Sequence, residues 1–222
     1  DGDADRLGII DDAGRFIHPN EILCLLYDYL LRHKRWHGCA VRNLATTHLL
    51  DAIAARFGES CYEVPVGFKY VSAAMQEHNA VIGGESSGGL TVRGHINGKD
   101  GIYAAALLVE MLSVTGKKLS ELVAELYATY GRRYMAEFDA PFDAEDQPRL
   151  LALLSGDALP TFPEPPTGVN DVDGRKVLFA DGWLIVRFSG TEPRLRIFCE
   201  MPEQAKAEAY SRVMADYLGI SL

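Results

Sequence analysis

The first ten residues, DGDADRLGII, place aspartates at positions 1, 3 and 5. Alternate residues of an extended segment share a side, so three carboxylates face one point and repel one another unless a cation lies between them. Carboxylate oxygens are hard ligands, and Mg2+ or Ca2+ is the matching hard cation. An EF-hand loop opens with the same spacing but needs Gly at its sixth position and usually Glu at its twelfth. Arg6 and Asp12 stand there instead, and a strand-like run follows rather than a helix. A solvated acidic turn is the plain alternative. Mg2+ takes few protein ligands and leaves positions for phosphate oxygens, so Asp1, Asp3 and Asp5 together with a phosphate suit phosphoryl transfer. Arg6, at the edge of the triplet, can pair with a carboxylate or touch that phosphate.

Two further stretches carry chemistry. In GGESSGG, glycines 83, 84, 88 and 89 permit tight turns and close backbone approach around Glu85, Ser86 and Ser87. A carboxylate accepts two hydrogen bonds and a serine donates or accepts, which suits the vicinal hydroxyls of a sugar. A plain turn between strands is the competing reading. In RFSGTEPRLRIFCE, a strand ends at Arg187, and Ser189, Gly190, Thr191 and Glu192 form a turn that Pro193 closes. Hydroxyls, freed amides and guanidinium groups together wrap a phosphate dianion. In the next strand the period of two puts Arg196, Phe198 and Glu200 on one face, where Glu200 is placed to hold Arg196. A surface hairpin with solvated charges is the alternative here.

The elements that must hold these loops alternate. DDAGRF turns at Asp12–Gly14 after the strand LGIID; Pro19 then starts a helix whose Ile22, Leu25, Leu26, Tyr29 and Leu30 repeat with helical period. AVRNLAT, CYEVPV and AVIGGE read as strands, separated by the helices HLLDAIAARFG, capped by Thr47 and ended by Gly58, and FKYVSAAMQEH. KDGIYAAALLVEML and SELVAELYATYG add two helices. Strand–helix alternation predicts a sheet between helix layers. A linker is expected near residues 132–140, before the Pro-rich segments DAPFDAEDQP and LPTFPEPPTG and the short helix RLLALL between them. Three strands, RKVLFA, GWLIVRF and LRIFCE, and an amphipathic helix from Pro202 to Leu218 close the chain. The expected fold is therefore of the α/β class: an α/β/α sandwich domain with a mixed sheet, followed by a smaller α+β domain with an antiparallel sheet.

Bulk properties bound the function. In 222 residues the net charge is −9, which argues against nucleic acid or an anionic membrane as partner. No apolar run approaches the ~18 residues of a membrane span. Four cysteines, at 24, 39, 61 and 199, lack metal or redox spacing and read as reduced thiols of a cytoplasmic protein.

In this order, the three loops resemble those of the α-D-phosphohexomutase superfamily, which includes phosphoglucomutase, phosphomannomutase and phosphoglucosamine mutase. DGDADR is similar to its metal loop, GGESSGG to its sugar loop and RFSGTEP to its phosphate loop; VPVGFKY and GKDGIYAAALLVEML are also family-like. The resemblance implies a four-domain protein of which residues 1–16 form the tail of the second domain, 17–135 the third and 136–222 the fourth. It implies that the first domain, upstream, carries a phosphoserine in a Ser-His-Asn-Pro loop, a tetrapeptide this sequence lacks. The implied reaction interconverts hexose 1- and 6-phosphates through the phosphoserine and a hexose 1,6-bisphosphate, with Mg2+ on Asp1, Asp3 and Asp5. Implied sugar contacts are Glu85 and Ser87; implied phosphate contacts are Arg187, Ser189, Gly190, Thr191 and Arg196. Lys69 is the expected general acid/base, assisted by Arg6; some members carry histidine where Phe68 and Gly89 stand here. The chain alone is expected to be inactive without its N-terminal domains. A non-catalytic phosphosugar-binding module is the alternative from another class.

Overall fold

A computed structural model describes residues 1–190 and 192–222. The chain divides into two compact units, Asp1–Arg132 and Arg133–Leu222.

In the first unit, β1 (Ile9–Ile10) and β2 (Phe16–Ile17) form a small antiparallel hairpin. Asp11 closes it by accepting from the amides of Ala13 and Arg15 at 2.8 and 2.9 Å. Helix α1 (Pro19–Arg32) starts where His18 Nδ1 accepts from the Asn20 amide and the Glu21 carboxylate accepts from the His18 amide. The order continues with β3 (Ala40–Asn43), α2 (Leu49–Arg56), β4 (Cys61–Val64), α3 (Phe68–Glu77), β5 (Ile82–Gly84), β6 (Leu90–Val92), α4 (Gly101–Thr115) and α5 (Leu119–Tyr130). Thr47 Oγ1 accepts from the Leu49 amide at 3.0 Å, but from one residue ahead of the cap position, since the N-cap of α2 is His48.

The sheet order is β4-β3-β5-β6; β3 runs parallel to β4 and β5, and β6 runs antiparallel to β5. Helices α1, α2, α4 and α5 pack Leu26, Leu30, Ile53, Leu107 and Leu126 on one side, with Ile82 and Val92. On the other side α3 lays Val71 and Met75 against Val41. Burial of these aliphatic side chains stabilises the layers by roughly 1.5–3 kcal/mol each. The expected mixed-sheet sandwich is thus what the chain adopts.

Gly83 and Gly84 differ from their expected role. Both lie within β5, not in its turn. A Cβ on Gly83 would meet Met75 Sδ and, at 2.7 Å, Val71 of α3; one on Gly84 would meet Leu23 of α1 at 2.7 Å. These glycines let a helix approach each face of the strand that leads into the glycine loop.

In the second unit follow β7 (Tyr134–Pro141), α6 (Gln147–Ser155), β8 (Gly168–Asn170), β9 (Arg175–Leu178), β10 (Trp183–Phe188), β11 (Arg194–Met201) and α7 (Gln204–Leu218). The five strands pair antiparallel in the order β7-β11-β10-β9-β8. Leu184, Val186, Leu195, Ile197 and Cys199 form the core with Tyr210, Met214 and Leu218 of α7.

Strand β7 corrects the expected linker at 132–140. Its inward residues include Ala136 and Ala140, which are small, and its outward ones include Glu137 and Asp139. Intrinsic strand preference is weak in such a run, and the eight-residue pairing with β11 decides its structure. Among the described residues, no helix is long and apolar enough to cross a membrane.

Candidate functional site

The aspartate loop folds back on itself. Carboxylate oxygens of Asp1, Asp3 and Asp5 lie within 4.8 Å of one another. Two cations already flank them: Arg6 Nε is 2.5 Å from Asp1 and 3.6 Å from Asp5, and Lys99 Nζ is 2.5 Å from the other oxygen of Asp5. Asp5 Oδ1 is buried and has no hydrogen-bond partner. An ionised oxygen in that state is costly unless a cation meets it. The three carboxylates and this orphaned oxygen fit a hard divalent ion.

Backbone contacts tie the loop to its surroundings. Arg6 forms a β-bridge with Gly89, joining the aspartate loop to the end of the glycine loop. The Gly101 amide donates to Ala4 O at 2.9 Å, at the start of α4. A Cβ on Gly101 would meet Arg6 O at 2.6 Å, so glycine is required for this approach. Asp100 caps α4 by accepting from the Tyr103 amide, and that bond holds its carboxyl below its usual range, with help from the His95 ring 2.8 Å away.

Between β5 and β6 the glycine loop makes a tight turn: the Glu85 amide donates to Gly89 O and the Gly88 amide to Glu85 O, each at 3.0 Å. Gly88 has φ +102°, which an L side chain rarely adopts. Glu85 is buried, and its Oε1 accepts from Asn43 Nδ2 at 2.9 Å and from the Gly67 amide at 3.2 Å. Ser87 is exposed at the tip. Gly67 immediately precedes α3, so this bond also positions the first turn of the helix that carries Lys69. Lys69 is exposed and rests over Tyr70 at 4.8 Å. A lysine acts as a base more readily where burial disfavours its charge, and this exposed position does not supply that burial.

In the second unit, Arg187 and Arg196 are directly paired across β10 and β11. Paired residues point to one face, and like charges placed so are destabilising. Asp173 forms an ion pair with Arg187 Nε at 3.5 Å, too long for a hydrogen bond, so that buried nitrogen has no hydrogen-bond partner; on the other side of Arg196, Asp139 of β7 stands directly opposite it. Ser189 donates its amide to Arg194 O at 2.8 Å, which closes the turn below the exposed Gly190. Two facing guanidinium groups beside a serine turn can hold a dianion bidentately. Thr191 lies outside the described residues.

Sequence reasoning missed three partners. Lys99, read only as part of a helix start, reaches Asp5. Asn43, read as strand, reaches Glu85. Glu200, expected against Arg196, accepts from Trp183 Nε1 at 3.1 Å. Side-chain direction from a strand end is invisible in spacing alone; only the Trp183–Glu200 cross-strand register had a signal, in the period of two. A cavity of about 480 Å3 elsewhere in the first unit is floored by Leu25, Met111 and Leu126, and none of the expected site residues lines it.

The family model "Phosphoglucomutase/phosphomannomutase, alpha/beta/alpha domain III" matches residues 18–130, and "Phosphoglucomutase/phosphomannomutase, C-terminal domain" matches 131–216. A phosphoglucomutase/phosphomannomutase of Thermococcus kodakarensis is 37% identical over 95% of this chain and 44% of its own length. From the same organism, a protein named "Probable phosphoglucosamine mutase" is 34% identical over 94% of this chain and 44% of its own length. A solved structure from Thermus thermophilus, assigned as a phosphomannomutase, aligns with a TM-score of 0.77 at 32% identity, covering 98% of this chain and 43% of the other. The chain thus spans less than half the length of these relatives. With both domain models matched in order and the three loops placed as described, the chain belongs to the phosphoglucomutase/phosphomannomutase family.

Proposed function

We propose that this chain is the C-terminal part of a phosphohexomutase that interconverts hexose 1-phosphate and hexose 6-phosphate. The observation that carries the reading is the Arg6–Gly89 bridge, which fixes a three-carboxylate loop beside a glycine loop holding a buried carboxylate. In this reading residues 1–16 are the tail of the second domain; the expected third domain, 17–135, and fourth, 136–222, meet instead between Arg132 and Arg133, so that β7 stays whole within the fourth. The N-terminal domains supply the phosphoserine.

Asp1, Asp3 and Asp5 hold Mg2+, which when bound offsets charge on a transferring phosphoryl group. Arg6 and Lys99 reduce the repulsion among those carboxylates and orient Asp1 and Asp5. Glu85 accepts from sugar hydroxyls, and the exposed Ser87 donates to or accepts from a neighbouring one. Arg187, Ser189, Gly190, Thr191 and Arg196 hold the phosphate that is not reacting. A fixed anchor is needed because hexose 1,6-bisphosphate must present either end in turn. Lys69, exposed at the start of α3, exchanges a proton with the sugar hydroxyl on the approach of substrate; Arg6 assists at the metal loop. The protein works in the cytoplasm. The matched phosphoglucosamine mutase keeps an amino sugar phosphate as a second substrate reading.

A coupled assay tests the proposal with D-glucose 1-phosphate, a trace of the 1,6-bisphosphate, Mg2+ and a dehydrogenase. The chain alone is expected to show no turnover, and the chain joined to its N-terminal domains should interconvert the two phosphates. Robust turnover by the chain alone, kept in Ser86→Ala/Ser87→Ala, contradicts the proposal, as does inactivity of the joined protein on every hexose phosphate tried.

A further inference from the structure

The glycine loop is short, yet its most buried side chain is an acid. What fixes Glu85 comes from β3. Asn43 is buried at the end of that strand, and its two amide atoms have different partners. Oδ1 accepts from the Ala45 amide at 2.9 Å and from Thr46 Oγ1 at 2.8 Å. Because both of those groups donate to it, the oxygen end is settled and the nitrogen end must face Glu85. Nδ2 then donates to Glu85 Oε1 at 2.9 Å. Thr46 Oγ1, while donating to Asn43, accepts from the Ser86 amide at 3.0 Å. One buried amide side chain therefore governs two consecutive loop residues, Glu85 through its nitrogen and Ser86 through Thr46.

The bond also divides the carboxylate. Oε1 is taken by Asn43 and by the Gly67 amide. Among the described residues no hydrogen bond reaches Oε2, and it is not among the fully buried polar atoms that lack a partner. One oxygen is committed to the protein and the other is reachable by a ligand.

We infer that Asn43 is a positioning residue for sugar recognition: it locks Glu85 in the rotamer that offers Oε2 to a hexose hydroxyl and sets the height of the Ser86–Ser87 tip. This rests on the reading of the glycine loop as the sugar-binding loop. It adds a residue remote from the loop in sequence, and it makes the loop's selectivity depend on a group that touches no ligand. Charge-assisted hydrogen bonds are directional and strong enough to hold such a rotamer. A neutral donor at position 43 is the requirement, because an ionised carboxyl there would face Glu85 with like charge.

The test uses the whole chain with two probes, D-glucose 1-phosphate and inorganic phosphate, in titrations followed by calorimetry and by backbone NMR. Asn43→Asp should weaken D-glucose 1-phosphate binding about tenfold, the effect of losing one hydrogen bond to a charged group, and leave inorganic phosphate binding unchanged. The swap Asn43→Asp with Glu85→Gln reverses donor and acceptor between the two side chains, so the Ser86 amide resonance should return to its wild-type position; the Gly67 amide, whose acceptor oxygen has become an amide nitrogen that cannot accept, should stay displaced, and sugar-phosphate affinity should stay low. That swap carries the test should the single variant fail to fold. Glu85→Gln alone separates the two readings. If it weakens sugar-phosphate binding and Asn43→Asp does not, the positioning role is overturned. If Glu85→Gln changes nothing, the loop does not read the sugar, and the inference falls with that assignment. A Ser86 resonance that stays displaced in the swap would also overturn it.

Discussion

The glycine loop of the first unit and the arginine turn of the second both present polar groups, but they are built in opposite ways. Each of these acids in the glycine loop and its neighbouring aspartate loop has a partner within the protein: Glu85 has Asn43 and Gly67, Asp5 has Lys99 on one oxygen and Asp1 has Arg6, while Asp5 Oδ1 is left for a cation. In the arginine turn, two like charges stand opposite each other, and the Asp173 carboxylate stops 3.5 Å from Arg187. A loop that is satisfied before its ligand arrives contributes geometry, since little reorganises on binding. A turn whose guanidinium nitrogen is buried without a hydrogen-bond partner contributes affinity, since an anion supplies that partner. The two should therefore respond differently to substitution.

The largest expected effect is on anion binding. Arg187→Ala should lower inorganic phosphate affinity about 10- to 100-fold, as expected for losing charge-assisted hydrogen bonds. Equal affinities in a calorimetric titration would remove Arg187 from the phosphate site.

Stability comes next, and there the two units differ in size of effect. In the first unit, Arg42 is buried between Asp51, at 2.7 Å, and Glu63, on the strand that also carries Asn43. Arg42→Met strands both acids; because they are 40% and 23% exposed, the cost should be about 2–3 kcal/mol, below the full penalty for a buried pair. Gly83→Ala pushes a methyl into Met75 and Val71 and should cost about 1–3 kcal/mol. In the second unit, Arg196 stands between Arg187 on one side and Asp139 on the other, so Arg196→Gln removes a repulsion and an attraction together and should change the stability of the phosphate-free chain by less than about 0.5 kcal/mol while weakening phosphate binding. Urea unfolding with and without phosphate measures all three. An Arg196→Gln variant that binds phosphate as tightly as the unaltered chain would remove Arg196 from the phosphate site.

Acid should act through the anchoring carboxylates of the first unit. Amide donors lower the carboxyl of Asp11 (from Arg15), of Asp12 (from Ser120) and of Asp100 (from Tyr103) below the ordinary value of 3.8. A folded-state value below the unfolded one gives stability that is complete above about pH 4 and is lost as pH falls through the folded values. Unfolding midpoints should be flat from about pH 5 to 7 on this account and fall below about pH 4. A fall already complete at about pH 5 would contradict these assignments.

Much of this was legible in the sequence, for identifiable reasons. Apolar periodicity announced α1 and α7, whose buried faces recur every turn, while α4 stood out as a long and almost uniformly apolar run. The three loops were legible because glycine, serine and charge cluster there at spacings that few structures share. Strand β7 was hidden because Ala136 and Ala140 fill its inward face, leaving no hydrophobic signature. Gly83 and Gly84 were read for turn freedom, although helix approach requires them; sequence shows a missing Cβ but not what occupies its space. Asn43 and Lys99 were missed because they reach the site from far along the chain, 42 residues before Glu85 in the case of Asn43, and from positions that look like ordinary strand and helix start.

The division of labour between the two loops is tested most directly by one NMR titration on the intact chain. Inorganic phosphate should shift the amides of residues 187–190 and 192–196 and leave 85–89 in place. D-glucose 1-phosphate should shift both sets, and Glu85→Gln should erase only the response at 85–89. Identical shift patterns for the two probes, or a sugar phosphate that leaves residues 85–89 unmoved, would contradict the account.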